Sequence, residues 1–92
     1  MTEARLTITH PLGLHARPAA LFVRTAAGFQ STVRLRNLTR DPEREADAKS
    51  ILSLMTLGVE HGHEILIRAD GPDEEAAIAA LRQLVETNFG ES

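Results

Sequence analysis

No cysteine occurs in the 92 residues, so the chain can form neither a disulfide nor a thiolate metal site, an absence that fits a reducing compartment. Tryptophan and tyrosine are also missing and phenylalanine occurs three times, so a core drawn from the 42% apolar residues must be packed by aliphatic side chains. No apolar run is long enough to span a membrane, and Met1-Thr2-Glu3-Ala4-Arg5 lacks the basic stretch and long apolar run of an export signal. With no linker, repeat or low-complexity tract, the reading is one domain, 1–92, cytoplasmic, of moderate stability and monomeric. A nucleic-acid partner is excluded: the chain is acidic overall and has few aromatics for stacking.

The net charge of −3 is unevenly spread. Residues 1–40 carry six arginines against the single acid Glu3, a balance of +5, while residues 41–92 carry four bases and twelve acids, a balance of −8. The basic half contains Gly13-Leu14-His15-Ala16-Arg17-Pro18-Ala19. Pro18 has no N–H and a φ fixed near the helical value, so it suits the first turn of a helix that begins close to His15. The N–H groups of such a turn have no intrahelical partner, and with the positive end of the helix dipole they favour an anion. Ala16 and Arg17 supply that backbone, and the Arg17 guanidinium adds a permanently charged fork suited to phosphate oxygens. A neutral imidazole in this place can attack phosphorus and hold the group as a phosphoramidate.

Leu6-Thr7-Ile8-Thr9 alternates as a half-buried strand ending at His10-Pro11, and the apolar run Ala16 to Ala27 predicts a helix stopped by Gly28. Ser31 to Arg36 alternates again, with Val33 and Leu35 inward. The polar segment Asn37 to Arg44, with Asp41-Pro42, reads as an extended hairpin loop before a short strand near Glu45 to Ala48. Ser50 suits an N-cap of a short helix running to Leu57 and closed by Gly58. Its spacing sets Leu54 and Leu57 on one side and Ile51, Leu52 and Met55 on another, which is either a broad core face or a surface for partners. Glu64 to Ala69 is a further strand. A last helix has Pro72 in its first turn, Asp73, Glu74 and Glu75 complementing the dipole, and a stripe of Ile78, Leu81, Leu84 and Val85. The order β-α-β-β-α-β-α implies an α+β fold with one sheet and its helices on a single face.

Two runs of the sequence resemble a known family. Pro11-Leu12-Gly13-Leu14-His15-Ala16-Arg17-Pro18-Ala19-Ala20 is similar to the active-site signature of the HPr family, the histidine phosphocarriers of the bacterial phosphoenolpyruvate-dependent phosphotransferase system. Asp47-Ala48-Lys49-Ser50-Ile51-Leu52-Ser53-Leu54-Met55-Thr56-Leu57-Gly58-Val59 is similar to its second signature, around a regulatory serine. The resemblance covers essentially the whole chain. It implies an open-faced β-sandwich, a four-stranded antiparallel sheet with three helices on one face. It also implies a carrier rather than an enzyme, needing no cofactor, that accepts a phosphoryl group on His15 from enzyme I and gives it to IIA proteins for carbohydrate uptake, with Arg17 stabilising the phosphate. Ser50 would be the target of an HPr serine kinase/phosphorylase, with transcriptional regulators as further partners. Ala20, Arg24, Lys49, Ile51, Leu52 and Met55 would form the docking face. Leu12 replaces a polar residue of several relatives, and the Asn37 to Arg44 segment is about four residues longer than the common hairpin.

Two other functions are compatible with the same elements: a regulatory binding module of this fold acting through Ser50, and a small-molecule-binding α+β module without phosphotransfer. His61-Gly62-His63 is read as a loop rather than a metal site, since no third ligand is evident. His10 is read as a turn residue.

Overall fold

A computed structural model describes residues 1–90 and resolves the alternating segments into four strands. In chain order the elements are β1 (Thr2–Thr7), α1 (Ala16–Ala27), β2 (Thr32–Asn37), β3 (Asp41–Asp47), α2 (Ile51–Met55), β4 (Glu64–Asp70) and α3 (Glu74–Glu86), followed by a 3-10 turn, Asn88–Gly90. The strands pair antiparallel in the order β1-β4-β2-β3. One face of the sheet presents Ala4, Val33, Leu35, Ala46, Ile65, Ile67 and Ala69, all buried, against Ala19, Phe22 and Ala26 of α1, Leu54 of α2 and Ala77, Ile78, Leu81 and Val85 of α3. The other face carries ion pairs instead: Arg68 with Glu3 at 2.9 Å and with Glu45 at 3.3 Å, and Arg36 with Glu45 at 3.1 Å. This is the open-faced α+β sandwich, with all three helices on the apolar side. Burial of that side supplies the stability, because ion pairs near the surface are each worth about 0–1 kcal/mol.

Several boundaries differ from those expected; α2, for one, ends at Met55 rather than running to Leu57. The extended loop over Asn37 to Arg44 is instead a tight connection, Leu38–Arg40, with β3 already under way at Asp41. Arg36 pairs with Glu45 but Asn37 with Asp41, so Pro42, Glu43 and Arg44 bulge out of the ladder. An edge strand tolerates this: the missing N–H of Pro42 and the bulge leave no inner neighbour unpaired. Residues 41–45 are exposed, which is why their composition reads as loop. Asn37 is 1% exposed and organises the connection, its Oδ1 accepting from the Thr39 and Arg40 N–H groups at 3.2 Å each while its Nδ2 donates to the Leu57 carbonyl at 3.2 Å.

β1 begins earlier than Leu6 and ends at Thr7, yet the inward parity runs past it to Ile8, whose N–H donates to the His63 carbonyl at 2.9 Å. At α3, Pro72 precedes the N-cap Asp73 rather than entering the first turn. The Asp73 carboxylate reaches across to the residues just before β2, accepting from the Ser31 hydroxyl, from Ser31 N–H at 2.9 Å and from Gln30 N–H at 2.8 Å. These bonds, the Ser31 hydroxyl foremost and then the Gln30 amide, hold its carboxyl below the usual range. Gly28 caps α1 as expected, in right-handed geometry (φ −73°). Among the described residues no helix is long and apolar enough to cross a membrane.

Candidate functional site

The loop between β1 and α1 is closed by Gly13. Its φ of +70° favours glycine, its N–H donates to the His10 carbonyl at 2.9 Å, and a Cβ there would lie 2.5 Å from the Val59 carbonyl oxygen. The next residue, buried Leu14, donates its N–H to the same Val59 carbonyl at 3.0 Å. Clamped in this way against residues 59–60, the chain enters α1 with His15 as its N-cap, in extended geometry (φ −108°, ψ −161°).

The His15 side chain makes no capping bond and is half-buried. Its carbonyl accepts from the Ala19 N–H at 2.7 Å, and Pro18 has no N–H to offer. The first turn therefore leaves the N–H groups of Ala16 and Arg17 without partners among the described residues, and no acidic side chain occupies that turn. Arg17 is exposed, and among the described residues its guanidinium enters no ion pair. The His15 imidazole, the two open N–H groups and the exposed Arg17 side chain belong to consecutive residues at the start of α1, an arrangement chemically suited to an anion.

His10, whose sequence context reads as a turn, lies beside this group. It is 5% exposed, its Nδ1 accepts from the Leu12 N–H at 3.1 Å, and its ring meets that of His15 edge-on at 6.4 Å between centroids and 70° between planes. Its signal was parity: position 10 continues the inward series of Ala4 and Ile8. His63, read as a loop residue, is tied into the segment beside the site loop. Its Nδ1 accepts from the Glu60 N–H at 3.1 Å and faces Asn37 Nδ2 at 3.0 Å, steadying the segment against which Gly13 closes. Among the described residues no group of three His, Cys, Asp or Glu side chains could hold a metal ion.

Ser50 is the N-cap of α2, its Oγ accepting from the Ser53 N–H at 3.2 Å. The two sides of α2 separate as the spacing suggests. Leu54 and, just beyond the helix, Leu57 are buried, whereas Ile51, Leu52 and Met55 stand 40%, 79% and 43% exposed. On α1, Arg24 is exposed and Ala20 half-buried. Lys49 is half-buried, and its ammonium donates to the Phe29 carbonyl at 2.7 Å just past the end of α1, tying the approach to α2 to that helix.

A family model described as the PTS HPr component phosphorylation site matches residues 2–87. The chain is 44% identical over 91 residues to phosphocarrier protein HPr of Xylella fastidiosa strain Temecula1, covering 99% of this chain and 98% of that one. It is 41% identical over 88 residues to the multiphosphoryl transfer protein of Vibrio cholerae, covering 96% of this chain but spanning only 22% of that longer protein. The crystal structure of HPr from Thermoanaerobacter tengcongensis is similar with a TM-score of 0.92 at 44% identity, over 100% of this chain and 99% of that one. An HPr dimer from the same organism matches with a TM-score of 0.75 at 45% identity, over 99% and 100%.

Proposed function

The chain belongs to the HPr family of phosphocarrier proteins, and from that premise we propose that the phosphoryl group rides on His15, arriving from phosphorylated enzyme I and leaving to IIA proteins for carbohydrate uptake and phosphorylation. An imidazole nitrogen of His15 gives its lone pair to phosphorus as the bond from phosphorus to the donor breaks, and the donor keeps that electron pair. Transfer to the acceptor repeats the exchange in the other direction. The N–H groups of Ala16 and Arg17 receive phosphoryl oxygens, and the Arg17 guanidinium adds charge where it develops. Such donors are set before the group arrives, so they cost no reorganisation during transfer. The observation that carries this reading is the uncapped start of α1 beside His15, with two N–H groups that have no partner among the described residues.

The protein acts as a carrier, with turnover belonging to its partners, and as a cytoplasmic monomer of one domain. Docking falls on Ala20, Arg24, Lys49, Ile51, Leu52 and Met55, whose exposed aliphatic and thioether groups suit a surface that serves several partners in turn. Ser50 is the regulatory site, addressed by a serine kinase. A phosphoryl group on its Oγ adds about −1.5 to −2 charges at the edge of that surface, and so disfavours an acidic partner.

Intact-mass measurement after incubation with phosphoenolpyruvate, Mg²⁺ and enzyme I of the same organism tests the reading. One phosphoryl group is expected, acid-labile, alkali-stable, discharged by a IIA protein and absent from His15→Ala. A wild-type chain that takes up no phosphoryl group, or a His15→Ala chain that takes up one equally, overturns it.

A further inference from the structure

His10 lies in the site loop, and the chemistry assigned to His15 gives it no task. Two hydrogen bonds fix it to the turn: its carbonyl accepts from the Gly13 N–H at 2.9 Å and its Nδ1 from the Leu12 N–H at 3.1 Å. With Nδ1 an acceptor, the neutral ring carries its proton on Nε2. On one side the ring meets Phe89, edge-on at 6.0 Å and 72°. Phe89 itself is 4% exposed and has a left-handed backbone (φ 59°). His10 thus has little rotational freedom, and it presents its ring to His15 at 6.4 Å.

The His15 side chain, by contrast, has no hydrogen bond among the described residues and no cap contact. Packing rather than hydrogen bonding must therefore set its torsion angles, and the ring against it is that of His10. We propose that His10 is a positioning residue, whose ring holds the His15 imidazole so that one nitrogen stays turned toward the open N–H groups of Ala16 and Arg17. The proposal rests on His15 as the phosphoryl acceptor. Its importance follows from geometry: a nucleophile displaced by about 1 Å can lose up to ~100-fold in rate.

Two substitutions separate the ring from the turn bond. His10→Asn removes the ring but keeps a short side-chain oxygen able to accept from the amide two residues on. His10→Phe keeps a ring and removes the acceptor. In steady-state transfer from enzyme I, His10→Asn is expected to lower kcat by about tenfold with KM within about twofold, while His10→Phe stays within about threefold of wild type in both. The ¹⁵N resonances of the His15 ring report its tautomer and setting without any transfer. They are expected to shift in His10→Asn and to stay near wild type in His10→Phe. Unchanged His15 resonances and kcat in His10→Asn overturn the proposal, as does equal impairment of both variants, which would give the role to the turn bond. If the wild type accepts no phosphoryl group while the resonances respond as expected, the acceptor reading fails and the positioning contact stands.

Discussion

At the start of α1 the first turn contains no acidic residue, the His15 side chain caps nothing, and the N–H groups of Ala16 and Arg17 lie open among the described residues. α3 also lacks a side-chain cap, but its start is acidic. Asp73, Glu74 and Glu75 crowd its first positions, and the Glu74 carboxylate accepts from the Met1 amine at 2.8 Å, the Thr2 hydroxyl at 2.6 Å and the Gly71 N–H at 3.1 Å. Both helices offer the same backbone dipole, and acids placed there stabilise a helix. At α3 the protein's own carboxylates take that position and fasten the helix to the start of β1 and to the residues just before β2. At α1 no acid takes that position, and the helix forgoes that stabilisation. α2 lies between the two, its start satisfied by a neutral hydroxyl, that of Ser50. A helix start with neither a cap nor an acid, in a chain that gives α2 a hydroxyl cap and α3 three acids, is a candidate anion site.

The largest change expected comes from the turn that aims α1. Gly13→Ala forces a Cβ into a left-handed position facing the Val59 carbonyl, and should cost about 2–4 kcal/mol of unfolding free energy in urea titrations. Equal stability would mean that the turn does not hold the site. Next, Ala16→Glu gives α1 a start like that of α3. The added carboxylate should raise stability by about 0.3–1 kcal/mol while lowering phosphoryl acceptance about 100-fold, equivalent to ~2.7 kcal/mol of lost transition-state stabilisation. Unimpaired transfer in this variant would break the comparison. At α2, Ser50→Ala should cost about 1 kcal/mol through the lost cap, whereas Ser50→Asp keeps the cap. Ser50→Asp should nonetheless lower kcat/KM for transfer from enzyme I about tenfold through repulsion at the docking surface.

The uneven legibility of the chain follows the same division between local and distant causes. α1 was readable to its bounds, Ala16 and Ala27, because a turn glycine, a proline and an aliphatic run act within a few residues. His15, Ala16 and Arg17 were legible as a group because they are consecutive and their geometry is that of any helix start. β3 was obscured by its place at the sheet edge, where exposure permits Pro42 and a polar composition. His10, Asn37 and His63 were underestimated because burial of a polar side chain is decided by distant partners. Phe89 closes over His10, Leu57 receives the Asn37 amide, and Asn37 reaches His63. Strand parity marked Asn37 as it marked His10, following Val33 and Leu35 inward, but parity alone does not name the groups that make such burial tolerable.

The smallest effect concerns pH and bears on α3 alone. The hydrogen bond from the Met1 amine, with those from Thr2 and Gly71, lowers the Glu74 pKa from 4.5 to about 2. A carboxyl whose folded pKa is depressed binds its proton more readily in the unfolded chain, so folding gains from it at pH values above 4.5. The gain declines as pH falls from 4.5 and is gone below about 2. Because this carboxylate lies at the surface, the contribution is small and reduced by salt. Glu74→Gln should therefore unfold at a lower urea concentration than wild type at pH 7, and the two midpoints should converge as the pH is lowered toward 2. His15→Asn, at the uncapped start of α1, should show no such acid-range convergence, since no carboxylate of that turn titrates. A Glu74→Gln offset that stays constant from pH 7 to the acid limit would show that the start of α3 is held by packing rather than charge, and would remove the electrostatic half of the contrast with α1.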